Sequence, residues 1–283
     1  MGKTTGIEWT DCTWNPIRGC SRVSEGCRNC YAESVAARFS GIGRPYNGLA
    51  TFKIIDKGTP EEHLEARWTG ELRFIEDRLQ DPIMWKAPKK IFVNSMSDLF
   101  HPRVKDEWLV AIFDVMARAP QHTYQILTKR PERMQRFLET GQSLSDQFER
   151  TFSQKWPAPN WWFGVSVEDQ NTADYRLPIL AECAAAVRFV SYEPALGPID
   201  FRKCFREPLE TVAIDWLIVG GESGPRARPM DTDWARSARE FCLTMGIPFF
   251  FKQYGEYMDH IRVGKKKAGH VLDGVEWREF PKC

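Results

Sequence analysis

Between residues 90 and 252 the chain alternates short apolar runs with stretches of helical periodicity. Six runs stand out, at residues 90–95, 123–128, 161–166, 187–191, 215–220 and 248–252, and each ends in polar residues. They are too short for helices and mostly apolar rather than apolar only at every second position, the pattern of strands buried on both faces. Helical spacing fills several of the gaps, at residues 106–118, 131–140, 172–185 and 232–245, the last two with Asx or Thr caps and the last with a stop at Gly246. Strand, polar turn and helix, repeated, predict an α/β fold with a mostly parallel sheet. An opening strand at residues 7–13 brings the count to about seven units, enough for a partial or full (β/α) barrel.

Outside this repeat the pattern is less regular. Residues 27–39 predict a helix, with Tyr31, Val35 and Phe39 on one stripe and Gly41 and Gly43 beyond its end. Residues 40–70 lack clean periodicity and read as a long loop with one short helix at 60–66, a candidate lid over the preceding segment. A short strand is expected at 71–75 and a brief helix from Asp81, with Pro82 in its first turn. From residue 256 the character changes: residues 260–263 and 270–272 flank Lys265, Lys266 and Lys267, which predicts a small hairpin. The expected organisation is therefore a barrel over residues 1–255 and an appendage over 256–283.

Composition narrows the function classes. No apolar run reaches the roughly 20 residues that span a bilayer, so no membrane partner is expected. The N-terminal residues lack the charged-then-apolar pattern of a secretory signal, which points to the cytoplasm. Cys183, Cys204, Cys242 and Cys283 are scattered without a disulfide framework, as expected of free thiols in a reducing compartment. A net charge of +1 means that any affinity for nucleic acid must come from local patches.

The chemistry concentrates ahead of the first helix, where Cys20, Cys27 and Cys30 are spaced C-x6-C-x2-C with Gly19 and Gly26 beside them. Four thiolates would close a zinc site or complete an ordinary iron–sulfur cluster, whereas three leave one metal position open. Cys12, on the opening strand, remains a candidate fourth ligand. A second set of chemical groups lies at the ends of the predicted strands, where parallel α/β folds collect their ligands: Ser97 and Asp98, Lys129 and Arg130, Ser166 and Glu168, Glu193, Glu222 and Lys252. Helix capping accounts for some polar residues of this kind, Asp169 and Asn171 among them. Acids in nearly every unit exceed what capping requires, so Ser97, Asp98, Glu168, Glu193 and Glu222 are expected to face one pocket.

The cysteine segment, together with Gly6-Ile7-Glu8-Trp9-Thr10-Asp11 and Thr13-Trp14-Asn15-Pro16, resembles a phage and bacterial protein family known for a three-cysteine motif, over nearly the whole chain. That family in turn resembles a divergent branch of the radical S-adenosylmethionine (SAM) superfamily. The superfamily's usual spacing is C-x3-C-x2-C with an aromatic before the last cysteine; here the first gap is three residues longer and the aromatic, Tyr31, follows. The resemblance implies a radical SAM-like barrel and a [4Fe-4S] cluster on Cys20, Cys27 and Cys30, with SAM chelating the fourth iron. It also implies an electron donor such as a flavodoxin or ferredoxin. Reductive cleavage of the sulfonium would then give a 5′-deoxyadenosyl radical that abstracts a substrate hydrogen.

Carried onto this chain, the resemblance puts Ser97 and Asp98 at the ammonium of SAM and Ser166 and Glu168 at its ribose, with Glu193 and Glu222 as further cofactor-facing acids. Lys129 and Arg130 would meet a carboxylate or a substrate phosphate. Arg226, in the basic loop after Glu222, and Lys252 would receive an anionic substrate. The superfamily's Gly-Gly-Glu signature is absent after the second strand; Gly220-Gly221-Glu222 stands at the sixth run instead. A nucleic-acid or nucleotide substrate follows only by analogy with DNA-acting members of the superfamily. Two other readings fit the residues: a structural zinc site completed by Cys12 or His101, and a non-catalytic, iron–sulfur- or zinc-stapled nucleic-acid-binding module using Trp161, Trp162, Lys129, Arg130 and the lysine turn.

Overall fold

The apolar runs pair in chain order. The computed structural model describes residues 5–143, 155–205, 213–258 and 260–282. It opens with β1 (Cys12–Trp14), β2 (Ile17–Arg18), α1 (Tyr31–Arg38), β3 (Ala50–Ile55), β4 (His63–Trp68) and β5 (Arg73–Phe74), followed by α2 (Glu76–Leu79) and α3 (Asp81–Met84). The repeat then runs β6 (Lys90–Val93), α4 (Asp106–Arg118), β7 (Thr123–Thr128), α5 (Pro131–Ser143), β8 (Trp161–Val167), α6 (Gln170–Glu182), β9 (Val187–Tyr192), β10 (Trp216–Gly220), α7 (Thr232–Met245) and β11 (Phe249–Gln253). The tail holds β12 (Tyr257–Met258), β13 (Ile261–Arg262) and α8 (Lys265–Ala268).

Strands β1, β6, β7, β8, β9, β10 and β11 form one seven-stranded sheet in that order, all parallel, curled into a half-barrel flanked by helices. Successive side chains on a strand point to opposite faces, and both faces here are apolar. Trp14, Ile91, Tyr124, Phe163 and Val190 face the helices and pack with Leu109, Ile112, Phe113, Met134 and Leu177. Each such fully buried side chain contributes about 1.5–3 kcal/mol. Phe92, Trp162, Phe189, Trp216 and Phe250 fill the concave side with Trp9. Gly164 makes room for the curl, because a Cβ there would stand 2.5 Å from the Phe189 carbonyl oxygen and 2.7 Å from its ring.

The tail closes the exposed edge and the floor. Phe251 N–H donates to Trp277 O (3.0 Å) and Glu279 N–H to Phe249 O (3.2 Å), so the last residues pair along the edge of β11. Phe280 packs on Trp216 and Phe250, with Lys90 Nζ 3.9 Å above its ring, and Arg278 reaches Glu8 at 2.6 Å. The segment thus touches both the β10–β11 side and the β6 side of the half-barrel.

Several local expectations are corrected. The opening strand is Cys12–Trp14, while Trp9 turns into the concave core. The first helix starts at Tyr31 rather than 27, because residues Glu25–Cys27 form a 3-10 turn and Cys30 is the N-cap. Residues 40–70 are not a loop with a helix: β3 and β4 pair as an antiparallel hairpin that docks Ala50 and Ala66 on Ala32, Ala36 and Ala37 of α1. Most of β3 is exposed, so no burial alternation marks it in the sequence. The tail hairpin is the tighter β12–β13 pair, and the three lysines open α8. Trp161 and Trp162 are 0% and 2% exposed, which removes them as a stacking surface. Asp169 does cap: it forms a capping box with Thr172 ahead of α6.

Candidate active site

The cysteine loop lies across the carboxyl ends of the strands, and residues there hold it down. Gly19 must be glycine: its φ is +97° and a Cβ would stand 2.1 Å from Glu71 O. Its N–H donates to Met96 O (3.3 Å), which pairs the loop's start with the end of β6. Ser21 Oγ accepts from Arg130 Nη2 (3.0 Å), and Arg130 Nη1 donates to Asp98 Oδ2 (2.7 Å). Ser24 Oγ donates to Glu168 Oε1 (2.9 Å), and Gly26 rests against that carboxylate so closely that a Cβ would stand 2.5 Å from Glu168 Cγ. Asn29 Nδ2 donates to Glu222 Oε2 (2.9 Å), while Arg228 bridges Glu222 (2.7 Å) and Glu25 O (2.9 Å). Arg22 ties the loop to α1 and β4 through Glu33 (2.9 Å) and Glu65 (3.0 Å).

Beneath the loop is a cavity of about 260 Å3 whose wall includes Cys20, Cys27 and Cys30, with Trp9, Phe92 and Leu127 among its apolar residues. Ser97, Asp98, Ser166, Glu193, Glu222, Lys129, Arg130 and Lys252 also line it. Two expected residues do not. Glu168, 1% exposed, lies in an ion cluster in which Lys129 Nζ and Arg176 Nη1 (3.1 Å) meet its Oε1, and Arg226 faces a separate groove. Nor are the other charges free, since Asp98 is spent on Arg130, Glu222 on Arg228 and Asn29, and Lys129 on Glu168 and Ser166 (2.6 Å). Glu193 and Lys252 differ: they pair with each other at 2.8 Å, both line the cavity, and neither is among the loop's anchors.

Electrostatics separates anchors from thiols. Burial works to raise Glu168, but Lys129 and Arg176 hold it below the usual carboxylate range; burial likewise opposes Arg228 and Asn29 at Glu222, which also stays low. Burial pushes the Cys20 thiol up to about 12, with Asp98 adding to it, and raises Cys30 as well. Any metal bound by these thiols would have to displace their protons. Burial, then Arg130, pushes His101 down to about 4. Its Nδ1 accepts from Arg103 N–H (3.1 Å), which puts the ring proton on Nε2, 2.8 Å from Ser21 Oγ. Both ring nitrogens are therefore engaged.

Among the described residues no three His, Cys, Asp or Glu side chains converge closely enough to share a single ion. Cys12 packs in the core beside the helices, 3% exposed, and is not part of the cavity wall. Cys183, Cys204 and Cys242 are buried free thiols, and none of them lines the cavity either; Cys283 lies outside the described residues.

The family model of DUF5131, described as "protein of unknown function", matches residues 4–281. The chain belongs to the DUF5131 family. No curated protein and no solved structure matches it. In this DUF5131 chain, sequence reasoning missed Trp9 in the cavity wall and the anchors Arg22, Asn29, Arg176 and Arg228. Polar side chains inside the cysteine segment hinted at Arg22 and Asn29. Arg176 and Arg228 lie near Glu168 and Glu222 in sequence, but the second contact of Arg228, with Glu25, spans 203 positions and had no sequence signal.

Proposed function

We propose that this chain is a radical SAM-like iron–sulfur enzyme, with Cys20, Cys27 and Cys30 as ligands of a [4Fe-4S] cluster and SAM at the open iron. The observation that carries the reading is the placement of three thiols, on one anchored loop, in the wall of a cavity at the carboxyl ends of a parallel half-barrel. The donor set suits a cubane better than zinc. A zinc site needs four donors within about 2.0–2.3 Å of one point, whereas each thiolate of a cubane has its own iron. The usual candidates for a fourth protein ligand are occupied elsewhere, Cys12 in the core and His101 in hydrogen bonds on both nitrogens.

When bound, the cluster and SAM supply reductive cleavage of a carbon–sulfur bond and hydrogen-atom abstraction. The residues of this chain position and enclose. Glu193 and Lys252 offer a carboxylate and an ammonium side by side, the complement of an amino-acid end group, and could exchange their mutual pairing for an ammonium and a carboxylate. Ser166 Oγ donates to the main-chain Glu193 O (2.9 Å) and Ser191 Oγ to its carboxylate Oε2 (3.3 Å), so the main chain and the side chain of Glu193 are each held before ligand arrives. Trp9, Phe92 and Leu127 give the cavity an apolar side that excludes water. Asp98, Glu168 and Glu222 act through the loop, keeping the thiols over the cavity. The electron donor would be of flavodoxin or ferredoxin type. Anaerobic reconstitution followed by an assay for 5′-deoxyadenosine tests the proposal; colourless protein that retains zinc would overturn it.

A further inference from the structure

A second depression, of about 500 Å3, runs between α1 and the β3–β4 hairpin and ends at the loop carrying Arg226. Asn29, Tyr31 and Ser223 line both it and the cysteine cavity, so the two spaces adjoin. We infer that this groove binds a single-stranded polynucleotide and delivers one of its nucleotides to the cysteine rim. Its wall combines what such a chain requires, namely cations for phosphates and exposed rings for bases. Arg28, Arg38 and Arg226 are exposed along it. Arg28 meets Glu25 only at 3.9 Å, and Arg226 donates to a carbonyl, Leu64 O, at 3.3 Å. The carboxylates that border the groove are already neutralised: Glu33 by Arg22, Glu65 by Arg22 and Arg67. Glu61 and Glu62 lie at the hairpin tip and are not part of the wall. Tyr31 is 51% exposed and Phe52 46%, with Leu64 at 62% beside them. Guanidinium groups and exposed rings in one wall favour a base-bearing polyanion over an acidic peptide, which has no rings to stack.

The identification of this polymer as substrate rests on the cluster reading above; its binding does not, and so the test uses cluster-free full-length protein. Fluorescence anisotropy with a labelled oligothymidylate of about 12 nucleotides, measured across a salt series, should show affinity falling linearly in a log–log plot, by about 0.7 per phosphate neutralised. Arg38→Ala and Arg226→Ala should each reduce that slope by about 0.7. Phe52→Ala should leave the slope unchanged and weaken binding about five- to a hundred-fold. All three side chains are exposed, so circular dichroism should report an unchanged fold. Absence of binding at low salt overturns the inference, as do unchanged affinities in the three variants or equal binding of duplex DNA or polyglutamate. Failure of 5′-deoxyadenosine formation, measured separately, would count against the cluster reading alone.

Discussion

Replacing Glu168 with alanine should cost stability before it costs ligand binding. The carboxylate is 1% exposed and compensates Lys129, whose side chain is 19% exposed, and Arg176, 4% exposed. Removing one member of a buried ion cluster leaves charge uncompensated, which costs about 3–5 kcal/mol. Arg176 keeps a second acceptor in Ser166 O (2.6 Å) and Lys129 can turn towards the cavity, so the lower end applies. With about 2.1 cal/mol/K of unfolding entropy per residue over 283 residues, roughly 0.6 kcal/mol/K, a loss of about 3 kcal/mol lowers Tm by about 5 °C. Calorimetry on cluster-free protein measures this directly. Glu168→Gln, which keeps an acceptor for Ser24 but not the charge, should fall between. Glu193→Gln should melt near the parent and instead weaken SAM binding measured by isothermal titration. The reasoning is refuted if Glu168→Ala melts within about 1 °C of the parent and loses SAM affinity, because the residue would then belong to the ligand site.

Other consequences follow from the same geometry. Gly19→Ala should fail to fold or lose well over 2 °C in Tm by scanning fluorimetry, since a Cβ at φ +97° meets Glu71 O at 2.1 Å. Cys12→Ala should retain iron after reconstitution, while Cys20→Ala, Cys27→Ala and Cys30→Ala should each lose it, as read by iron content and absorbance. His101, whose folded pKa of about 4 lies below its ordinary 6.5, binds protons more readily when the chain is unfolded. The stability linked to it is therefore complete above pH 6.5 and is lost as pH falls towards 4, by at most about 1.4 kcal/mol per unit. Melting curves between those limits should show the parent losing stability that His101→Gln does not lose.

The half-barrel was legible because its strands are buried on both faces: the runs at β6 to β11 are predominantly apolar, with only isolated polar residues such as Gln125 and Arg188 inside them, and polar turns and capped helices separate them. The β3–β4 hairpin was not, because β3 is largely exposed and its partner docks through alanines, which carry little periodic signal. That Cys20, Cys27 and Cys30 belong together was legible from their spacing, and all three line one cavity. The work of the acids was not: Asp98, Glu168 and Glu222 occupy strand ends as expected, yet each is consumed by an arginine, Arg130, Arg176 and Arg228 respectively, and residue type alone does not say whether a strand-end acid meets such a partner or a ligand. Of the two expected pairs of ligand-facing groups, the serines Ser97 and Ser166 do reach the cavity wall, and of the carboxylates Glu168 does not. Glu193 and Lys252, expected separately as a cofactor-facing acid and a receiver of an anionic substrate, form one ion pair in the cavity wall, which their separation in the sequence does not announce.

The most direct test is anaerobic reconstitution with iron and sulfide, followed by reduction in the presence of SAM. The account predicts about four irons per chain, a broad band at about 400 nm that is lost in each triad variant, and 5′-deoxyadenosine released only with reductant. A colourless protein containing one zinc, or a full cluster in the Cys27→Ala variant, would contradict it.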